Sequence, residues 1–458
     1  MKNPLKQLFA LRSAKSGEAA APAKKMPARE LPRAIATAKR LAAKAPDALR
    51  AAPRALLDAP ATALERRAAR RTPSGFEFAF ADGIDFLNPV HWDLLAAQTT
   101  FLSRDYLRVL ERYSPENLAP RYVIIYSTGE PVAILLVQRI ALSGDRIRKK
   151  SAEQKLIDKP LAKYGEHLLV CGNVFMWGAR AFAFAQGADR KALWLAVGEA
   201  VYRLRRADKL LGESDLVMIK DFESSDAAAT ESLRLLGYRS VETEPDMVLS
   251  IRPEWKNLDD YLASLTSSYR SKSKKLRKDC ETAGITFRLL SADEYTALAE
   301  PLHDLYLQVH EGQPLRLATL HPLYLPALAQ VMGAKFRCRV AEKEGIPVGF
   351  VTCLLDNDTA VGYYIGYDKT ANANAPIYLT LLNSCAGDAI EFGAKQLSIG
   401  RTALEPKANM GCKPVPVSCA IKHRVSAFNV LLSAVTNNAT HEVPPERTPF
   451  KVLSAAVE

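Results

Sequence analysis

The chain repeats one order of strand-like and helix-like segments, and this repetition limits its possible folds more than any single motif does. In each half, two extended apolar runs are joined by a short glycine-containing turn, which is typical of a β-hairpin. The tetrapeptide GEPV (129–132) at the first turn corresponds to GIPV (345–348) at the second. Near the end of each half, LGYR (236–239) corresponds to MGCK (410–413). The matching order predicts two copies of one α/β unit.

Residues 1–74 precede the repeat and have a different composition. Of the 62 Lys and Arg and 50 Asp and Glu in the chain, 17 and 5 lie in residues 1–72, which leaves 45 of each for the remainder. Prolines at 22, 27, 32, 46, 53 and 60 interrupt any helix there. We therefore predict a disordered or transiently helical basic arm that can touch an anionic membrane surface or RNA, with an organelle transit peptide as an alternative.

These observations give a division of the chain into four parts. We predict the basic arm at 1–74, a first domain at 75–252, a basic linker helix with a second domain at 253–445, and a C-terminal tail at 446–458. The two domains form what we call the first half and the second half.

Cysteine and histidine spacing argues against several classes of protein. The chain has seven Cys and no C-x-x-C pair, so neither a disulfide framework nor a zinc site is indicated. No H-E-x-x-H motif occurs, and no apolar run approaches the roughly 20 residues of a membrane span. We expect no metal and a cytoplasmic protein with reduced thiols, peripheral to the membrane at most.

The segment SYRSKSKKLRKD (268–279) carries the densest positive charge of the patterned region. On a helix, Arg270, Lys274 and Arg277 fall on one face, and apolar residues such as Tyr269 and Leu276 fall on another. Three interpretations remain open: a solvated helix face, the wall of a pocket for an anionic substrate, or an RNA-binding surface. The absence of interleaved aromatic residues makes the last one the weakest.

The element order, together with several short motifs, resembles the GNAT acyltransferase fold in tandem. The chain is similar to Fem-type peptidoglycan aminoacyltransferases and to predicted N-acyltransferases related to them. The motifs that carry this resemblance are CGN (171–173), IKDF (219–222), DMVLSI (246–251), DDYLASLTSSYRSKSKK (259–275), YYIGYD (363–368) and EPKANMGCKPVP (405–416). The resemblance implies two tandem GNAT-like (acyl-CoA N-acyltransferase) domains with mixed, largely antiparallel sheets.

The resemblance also implies a set of site residues in the second half. Tyr364, Tyr378 and Lys407 are the catalytic candidates, and Ile377 marks the start of the helix that faces the donor. Arg270, Lys274, Arg277, Asp368 and Glu405 are the candidates for substrate binding. Alternation along the strand places Tyr363 and Tyr364 on opposite sides, so that only one of them can line the cleft.

The expected function is transfer of an acyl or aminoacyl group from an activated donor to an amine of an anionic acceptor: a cell-wall precursor, lipid or amino acid. In the GNAT fold that this chain resembles, the members that use coenzyme A have a glycine-rich turn before the donor helix, whereas this chain has TANANAP (370–376). Acyl-CoA is therefore in doubt as the co-substrate, and an acyl-carrier protein or aminoacyl-tRNA remains open. The alternative is a non-catalytic RNA- or membrane-surface-binding protein on a degenerate acyltransferase scaffold.

Overall fold

The structure is a computed structural model, and it describes residues 68–142, 166–176, 178, 180–313, 316–425, 429 and 444–451. The predicted basic arm lies outside the described residues except for 68–74. Within the described part of the chain, no helix is long and apolar enough to cross a membrane.

Fifteen strands are described, and they form two sheets. They are β1 Glu77–Ala81, β2 Leu118–Ser127, β3 Glu130–Leu142, β4 Glu166–Cys171, β5 Phe182–Phe184, β6 Ser214–Glu223, β7 Arg239–Glu242, β8 Asp246–Ser250, β9 Ile285–Leu290, β10 Phe336–Lys343, β11 Ile346–Asp356, β12 Thr359–Tyr367, β13 Gln396–Ser398, β14 Lys413–Val415 and β15 Val417–His423. 

Twelve α-helices are described with them. They are α1 Pro89–Ala96, α2 Arg104–Arg112, α3 Arg190–Ala207, α4 Ala227–Thr230, α5 Leu258–Ser264, α6 Ser267–Thr282, α7 Ala292–Ala297, α8 Ala299–His310, α9 Tyr324–Met332, α10 Lys369–Asn374, α11 Ile377–Glu391 and α12 Leu404–Asn409.

The two sheets have the same order, and each contains one strand from the other half. The first sheet runs β1-β2-β3-β4-β6-β15-β7, with β5 also paired to β3, and the second runs β9-β10-β11-β12-β13-β8-β14. Each sheet is mainly antiparallel with one parallel pair, β4 with β6 and β12 with β13. The last strand of each half, β8 or β15, therefore lies between two strands of the opposite half. The two halves exchange their final strands.

Although the motif DMVLSI (246–251) lies within the predicted first domain, it belongs to the second sheet. Its strand, β8, pairs with β13 and β14 in the second sheet. The second sheet thus contains strands from both sides of the predicted boundary between residues 252 and 253. The domain boundaries themselves stay a prediction.

The corresponding turns of the two halves have the same geometry. Thr128 and Gly129 have φ of 50° and 85°, and Glu344 and Gly345 have φ of 53° and 78°. Two consecutive residues with positive φ form the type I′ turn that suits a tight hairpin, and glycine adopts this conformation at little cost. The GEPV and GIPV motifs therefore close equivalent hairpins.

Three apolar cores separate the layers. One lies between the two sheets and contains α1 and α2 of the first half with α7, α8 and α9 of the second. A second core joins α5, α6 and α11 to the outer face of the second sheet, and a third joins α3 to the outer face of the first sheet. The central core contains residues of both halves, so each half buries apolar surface against the other.

The predicted basic linker helix is interrupted. Leu265 adopts an extended conformation at the end of α5, and Thr266 precedes α6 in a second extended conformation. The apolar face from Leu262 to Cys280 is thus divided between two helices. Cys280 of α6 packs on α11, where its sulfur lies 3.4 Å from Thr380 Oγ1.

Candidate functional site

The main opening in the second sheet lies where β12 separates from β13. Their parallel pairing covers Thr359–Val361 and Gln396–Ser398 only. Strand β12 continues to Tyr367, so its residues beyond Val361 have no strand partner on this side within the described part of the chain. Unpaired backbone N–H groups on such an edge can bind the carbonyl oxygen of a ligand and stabilise an oxyanion. We call this segment, residues 362–367, the open edge of β12.

The matching place in the first half is closed. Strand β4 ends at Cys171, and the buried side chain of Lys220 lies over Gly172 so closely that a Cβ there would collide with it. The Lys220 ammonium donates to the carbonyl oxygens of Asn173 and Met176 at 2.9 and 2.6 Å and forms an ion pair with Asp221. The first half therefore has no equivalent open edge.

A β-bulge shapes the open edge. Between the pairs Val351–Ile365 and Cys353–Gly362, Thr352 alone faces both Tyr363 and Tyr364. The Thr352 hydroxyl accepts from the Tyr364 N–H at 2.9 Å and donates to the Tyr364 carbonyl at 3.2 Å. Because successive N–H groups of a strand point in opposite directions, the Ile365 N–H points toward the open edge.

The bulge also makes one sequence expectation wrong. Alternation should place Tyr363 and Tyr364 on opposite sides of the sheet, yet their ring centroids are only 4.8 Å apart. Two residues facing one partner interrupt the alternation, and both side chains point into the region between the two halves.

Three tyrosine hydroxyls form a closed ring beneath the open edge. Tyr324 donates to Tyr106 at 3.0 Å, Tyr106 lies 2.9 Å from Tyr363, and Tyr363 lies 2.8 Å from Tyr324. Asn173 Nδ2 donates to Tyr106 as well, at 2.7 Å. Since each hydroxyl has one proton, all three protons are used within the ring. The Tyr364 proton is also committed, to the Phe175 carbonyl at 2.6 Å.

Burial raises the pKa of Tyr106, Tyr324, Tyr363 and Tyr364 above the usual value for a phenol. These groups stay protonated at neutral pH and cannot accept a proton as phenolates. The ring and Tyr364 therefore act as links between the halves in this conformation, and Tyr364 as a catalytic group stays a prediction.

At the far end of the open edge, helix α11 begins at Ile377, as the sequence predicted. Ile377 itself is fully buried, and its N–H donates to the Ala375 carbonyl at 2.7 Å. Asn372 Oδ1 accepts from the Tyr378 N–H at 2.8 Å. The helix N-terminus is thus partly capped by the chain itself.

This arrangement does not fit the diphosphate of coenzyme A. The segment that would wrap a diphosphate forms helix α10 and contains no glycine. Its Asn372 oxygen already accepts the hydrogen bond of the Tyr378 N–H, a group that a bound anion would need. Asp368 is the N-cap of α10: it accepts from the Ala371 N–H at 2.7 Å and from Gln308 at 3.3 Å. The negative charge of the Asp368 carboxylate further disfavours the binding of an anion here.

Tyr378 differs from the other tyrosines of the site. Its half-buried ring packs against Tyr367 with centroids 5.6 Å apart, and within the described residues no hydrogen bond commits its hydroxyl. Burial raises the pKa of Tyr378 to about 12, so the hydroxyl carries a proton that it can donate.

On the other side of the opening, Lys407 and Asp246 hold the turn after β13. Lys407 Nζ donates to the Gly400 carbonyl at 3.1 Å, and Asp246 accepts from the Gly400 N–H at 3.0 Å and from Ser398 Oγ at 2.7 Å. Lys407 is buried, and burial lowers its pKa to about 8 although Asp246 opposes the shift. Its amine can therefore be neutral in mildly alkaline solution.

The remaining predicted residues have their described contacts elsewhere than on β12. Lys274 and Arg277 are exposed on α6, and Arg277 forms a surface ion pair with Glu281 at 3.1 Å. Arg270 is half-buried, with the Ala263 carbonyl 3.5 Å away. Glu405 is exposed and pairs with Arg447 at 3.0 Å. Tyr364 lies on β12, Asp368, Ile377 and Tyr378 follow it, and Lys407 contacts the turn after β13, whereas no contact within the described residues joins the other four to this group.

Several residues of the site went unrecognised in the sequence. Lys220 and Asp221 interrupt an otherwise apolar strand, SDLVMIKDF, and two charges in a buried strand are the signal that could have found them. Tyr106 and Tyr324 gave no such signal, because an aromatic residue on an amphipathic helix normally belongs to the core.

Comparison with known proteins gives a family match for part of the chain. The sequence of residues 267–407 matches the family described as "Acetyltransferase (GNAT) domain", so this part of the chain is a GNAT-type domain. The predicted α/β fold of two related units is confirmed by the matching order of the two sheets, and the GNAT-like character of the second unit by this match. No relative is found among curated protein sequences.

Three solved structures are similar to this chain. FemX has a TM-score of 0.45 and 12% identity, and the match covers 76% of this chain and 98% of FemX. A tandem GNAT protein from the clavulanic acid biosynthesis pathway has a TM-score of 0.43 and 13% identity, with coverage of 76% of this chain and 98% of that chain. L-PGS from Bacillus licheniformis has a TM-score of 0.39 and 14% identity, with coverage of 73% of this chain and 96% of that chain. In general terms, the family match over residues 267–407 supports acyl transfer from a donor to an amine acceptor.

Proposed function

We propose that the second half transfers an acyl or aminoacyl group from an activated donor to an amine of an anionic acceptor, and that the first half has a structural role. The observation that carries this proposal is the open edge of β12, which lies within the GNAT-type domain and has only a closed counterpart in the first half. A cell-wall precursor, a lipid or an amino acid would be the acceptor.

The donor in this proposal is an aminoacyl-tRNA ester or a carrier-protein thioester rather than acyl-CoA. Both present an acyl group at the end of a macromolecule that binds elsewhere, so neither needs a diphosphate cradle at the start of α11. The self-capped Tyr378 N–H and the carboxylate of Asp368 support this choice.

We infer the chemistry from the groups described at the open edge and at the start of α11. The neutral amine attacks the acyl carbon while the Ile365 N–H holds the carbonyl oxygen, and a C–N bond forms. The C–O or C–S bond to the donor then breaks: an alkoxide leaving group takes the proton of the Tyr378 hydroxyl, whereas a thiolate leaves without it. The amine gives up one proton to solvent, from which Tyr378 is reprotonated. Most of the rate gain comes from holding the two substrates together, for which about 7–11 kcal/mol is available.

The test uses the full chain with radiolabelled aminoacyl-tRNA, acyl-carrier protein and acetyl-CoA, each with a panel of amines. We expect label in the acceptor with one of the first two donors and none with acetyl-CoA. Tyr378→Phe should lower the rate by about 100-fold, a typical loss on removal of a general acid. Tyr202→Phe, at an exposed phenol of α3, is the matched control and should leave it unchanged.

Two outcomes would contradict the proposal. Efficient transfer from acetyl-CoA would refute the donor assignment. No transfer from any donor, together with tight binding of RNA or vesicles, would favour the non-catalytic alternative on a degenerate scaffold.

A further inference from the structure

Three cations converge on the outer face of the first sheet, at the LGYR motif, which has no part in the proposed function. Arg70 lies against Gly237 so closely that a Cβ there would approach its guanidinium to 2.5 Å. The ammonium of Lys422 lies over the ring of Tyr238, 5.3 Å from its centroid. Arg205, in the last turn of α3, acts electrostatically on both Tyr238 and Lys422. We call Arg70, Arg205 and Lys422 the cation cluster.

The fold directs two of these side chains to the same side of the sheet. Lys422 follows Ala420 by two positions on β15, and side chains two positions apart on a strand point to the same face. Ala420 belongs to the core between α3 and the first sheet, together with Leu204 of α3. Arg205 is the next residue of that helix. Lys422 and Arg205 are both half-buried, so they lie where this core reaches the surface.

The cation cluster has no counterion within the part of the chain that the structure describes. No ion pair joins Arg70, Arg205 or Lys422 to a carboxylate there, and Glu199 of α3 and Asp215 of β6 are each ion-paired with another arginine. Burial and the charges of Arg70 and Arg205 lower the pKa of Lys422 to about 8. Cations held together without a carboxylate repel one another, and a bound anion would remove this repulsion.

The matching position in the second half shows that the fold does not require a cation there. Gly411 of the MGCK motif corresponds to Gly237 of LGYR, and a Cβ at Gly411 would collide with the ring of Phe450. Phe450 in turn packs on Trp255, with ring centroids 5.6 Å apart. An aromatic ring covers one glycine and Arg70 covers the other. The charge beside Gly237 therefore belongs to this site and not to the repeated fold.

A phosphate group with two negative charges suits the cation cluster better than a carboxylate does. A phosphate monoester carries a charge of about −1.5 to −2 at neutral pH and three strong acceptor oxygens. The two guanidinium groups can each donate two parallel hydrogen bonds to such oxygens, and the ammonium adds a compact positive charge. A carboxylate has a single negative charge and would leave most of the repulsion in place.

We propose that the cation cluster binds a dianionic phosphate group, which is either free inorganic phosphate or the monoester phosphate of a lipid headgroup. This inference does not depend on the acyl-transfer proposal. The cation cluster lies on the outer face of the first sheet, whereas the open edge of β12 belongs to the second sheet.

Isothermal titration calorimetry of the full chain with inorganic phosphate, at neutral pH and constant ionic strength, tests for the site. We expect one phosphate per chain. Arg205→Gln removes a charged donor and should weaken binding about tenfold or more. Arg206→Gln is the matched control, because Arg206 is the exposed neighbour on the same turn of α3, and it should leave the affinity unchanged. Equal losses with the two variants, or binding of neither phosphate nor the lipid monoester by the unsubstituted chain, would overturn the proposal.

Thermal unfolding separates a binding role from a structural one. Without phosphate, Arg70→Gln relieves repulsion in the cation cluster, so the melting temperature should not fall. With phosphate, the unsubstituted chain and the control Arg71→Gln should gain stability, whereas Arg70→Gln should not. A lower melting temperature of Arg70→Gln combined with an undiminished gain from phosphate would show a structural role and overturn the proposal. An equal gain from sodium acetate at the same ionic strength would indicate diffuse screening and would also overturn it.

Flotation with phosphatidylcholine vesicles that contain phosphatidic acid distinguishes the two sources of the phosphate. Vesicle binding that Arg205→Gln loses and Arg206→Gln keeps would assign the site to a lipid headgroup. Calorimetric binding of inorganic phosphate, with vesicle binding absent or insensitive to Arg205→Gln, would assign it to the free ion. Either result supports the site.

Discussion

The hydroxyl oxygens of Tyr106 and Tyr324 lie 3.0 Å apart although the two residues are separated by 218 positions in the sequence. Tyr106 lies on α2 of the first half and Tyr324 on α9 of the second. These helices pack against each other in the central core. A polar contact between matching helices fixes how the two halves meet, since its geometry is far more specific than that of apolar packing.

This contact predicts a coupled loss of stability. Tyr324→Phe removes one hydroxyl from the ring and leaves the Tyr363 proton without its acceptor, so we expect a loss of about 1–3 kcal/mol in the free energy of unfolding. Tyr106→Phe should cost a similar amount, and the double variant clearly less than the sum. Urea denaturation measures all three, with Tyr202→Phe as the exposed control. Additive costs would show that the hydroxyls do not act as one ring.

A second prediction concerns the closed cleft of the first half. Lys220→Met leaves Asp221 buried without its cation and should cost about 3–5 kcal/mol. Adding Asp221→Asn removes the remaining charge, and asparagine tolerates the φ of 60° at this position, so part of the loss should be recovered. The control is Lys395→Met, which breaks the exposed pair with Asp358 and should cost less than about 1 kcal/mol. A double variant no more stable than Lys220→Met would refute this interpretation of Lys220 and Asp221.

The third prediction is a pH dependence from Lys407. Burial lowers the pKa of Lys407 to about 8, below the ordinary value of 10.5. Between these two pH values the unfolded chain binds a proton that the native chain does not, so this residue makes stability rise with pH across the window. Across this window, Lys407 changes the free energy of unfolding by at most about 3 kcal/mol.

The measurement compares unfolding free energies of the chain and of Lys407→Met from pH 7 to 10.5. The difference between the two curves should grow steadily above pH 8. Lys422, for which burial also lowers the pKa to about 8, should contribute a separate part of the slope that Lys407→Met retains. Parallel curves would mean that Lys407 is charged throughout the window.

The fourth prediction concerns the basic face of α6. Arg277→Glu breaks only an exposed pair with Glu281, so its effect on the unfolding free energy should stay within about 1 kcal/mol. Lys272→Glu, on another side of the same helix, is the matched control. A tenfold loss of affinity for a labelled donor or acceptor with Arg277→Glu alone would instead establish Arg277 as a substrate contact, as the sequence suggested. Equal losses at both positions that salt removes would indicate diffuse attraction.

Local sequence was enough to predict the elements that depend on local chemistry. The hairpin turns at Gly129 and Gly345 and the start of α11 at Ile377 follow from turn residues and periodicity, and the structure confirms them. The repeat added the order of the elements along the chain, but not the order of the strands in each sheet. These are features that a few neighbouring residues determine.

Features that depend on residues far apart in the sequence could not be predicted. Strands β8 and β15 are both short apolar runs, and nothing in either one identifies the sheet it joins. The bulge at Tyr363 and Tyr364 depends on the hydroxyl of Thr352 across the hairpin. The roles proposed for Tyr364, Tyr378 and Lys407 stay predictions. The sequence alone does not show which of their protons are already donated in hydrogen bonds within the protein.

The exchanged final strands have a consequence for how the protein is made. A ribosome synthesises the first half before β15, yet β15 lies between β6 and β7 of the first sheet. Until residues 417–423 emerge, the first sheet has a gap flanked by two unpaired strand edges, which are sites of aggregation. Maturation of the first half must therefore wait until β15 of the second half has been translated.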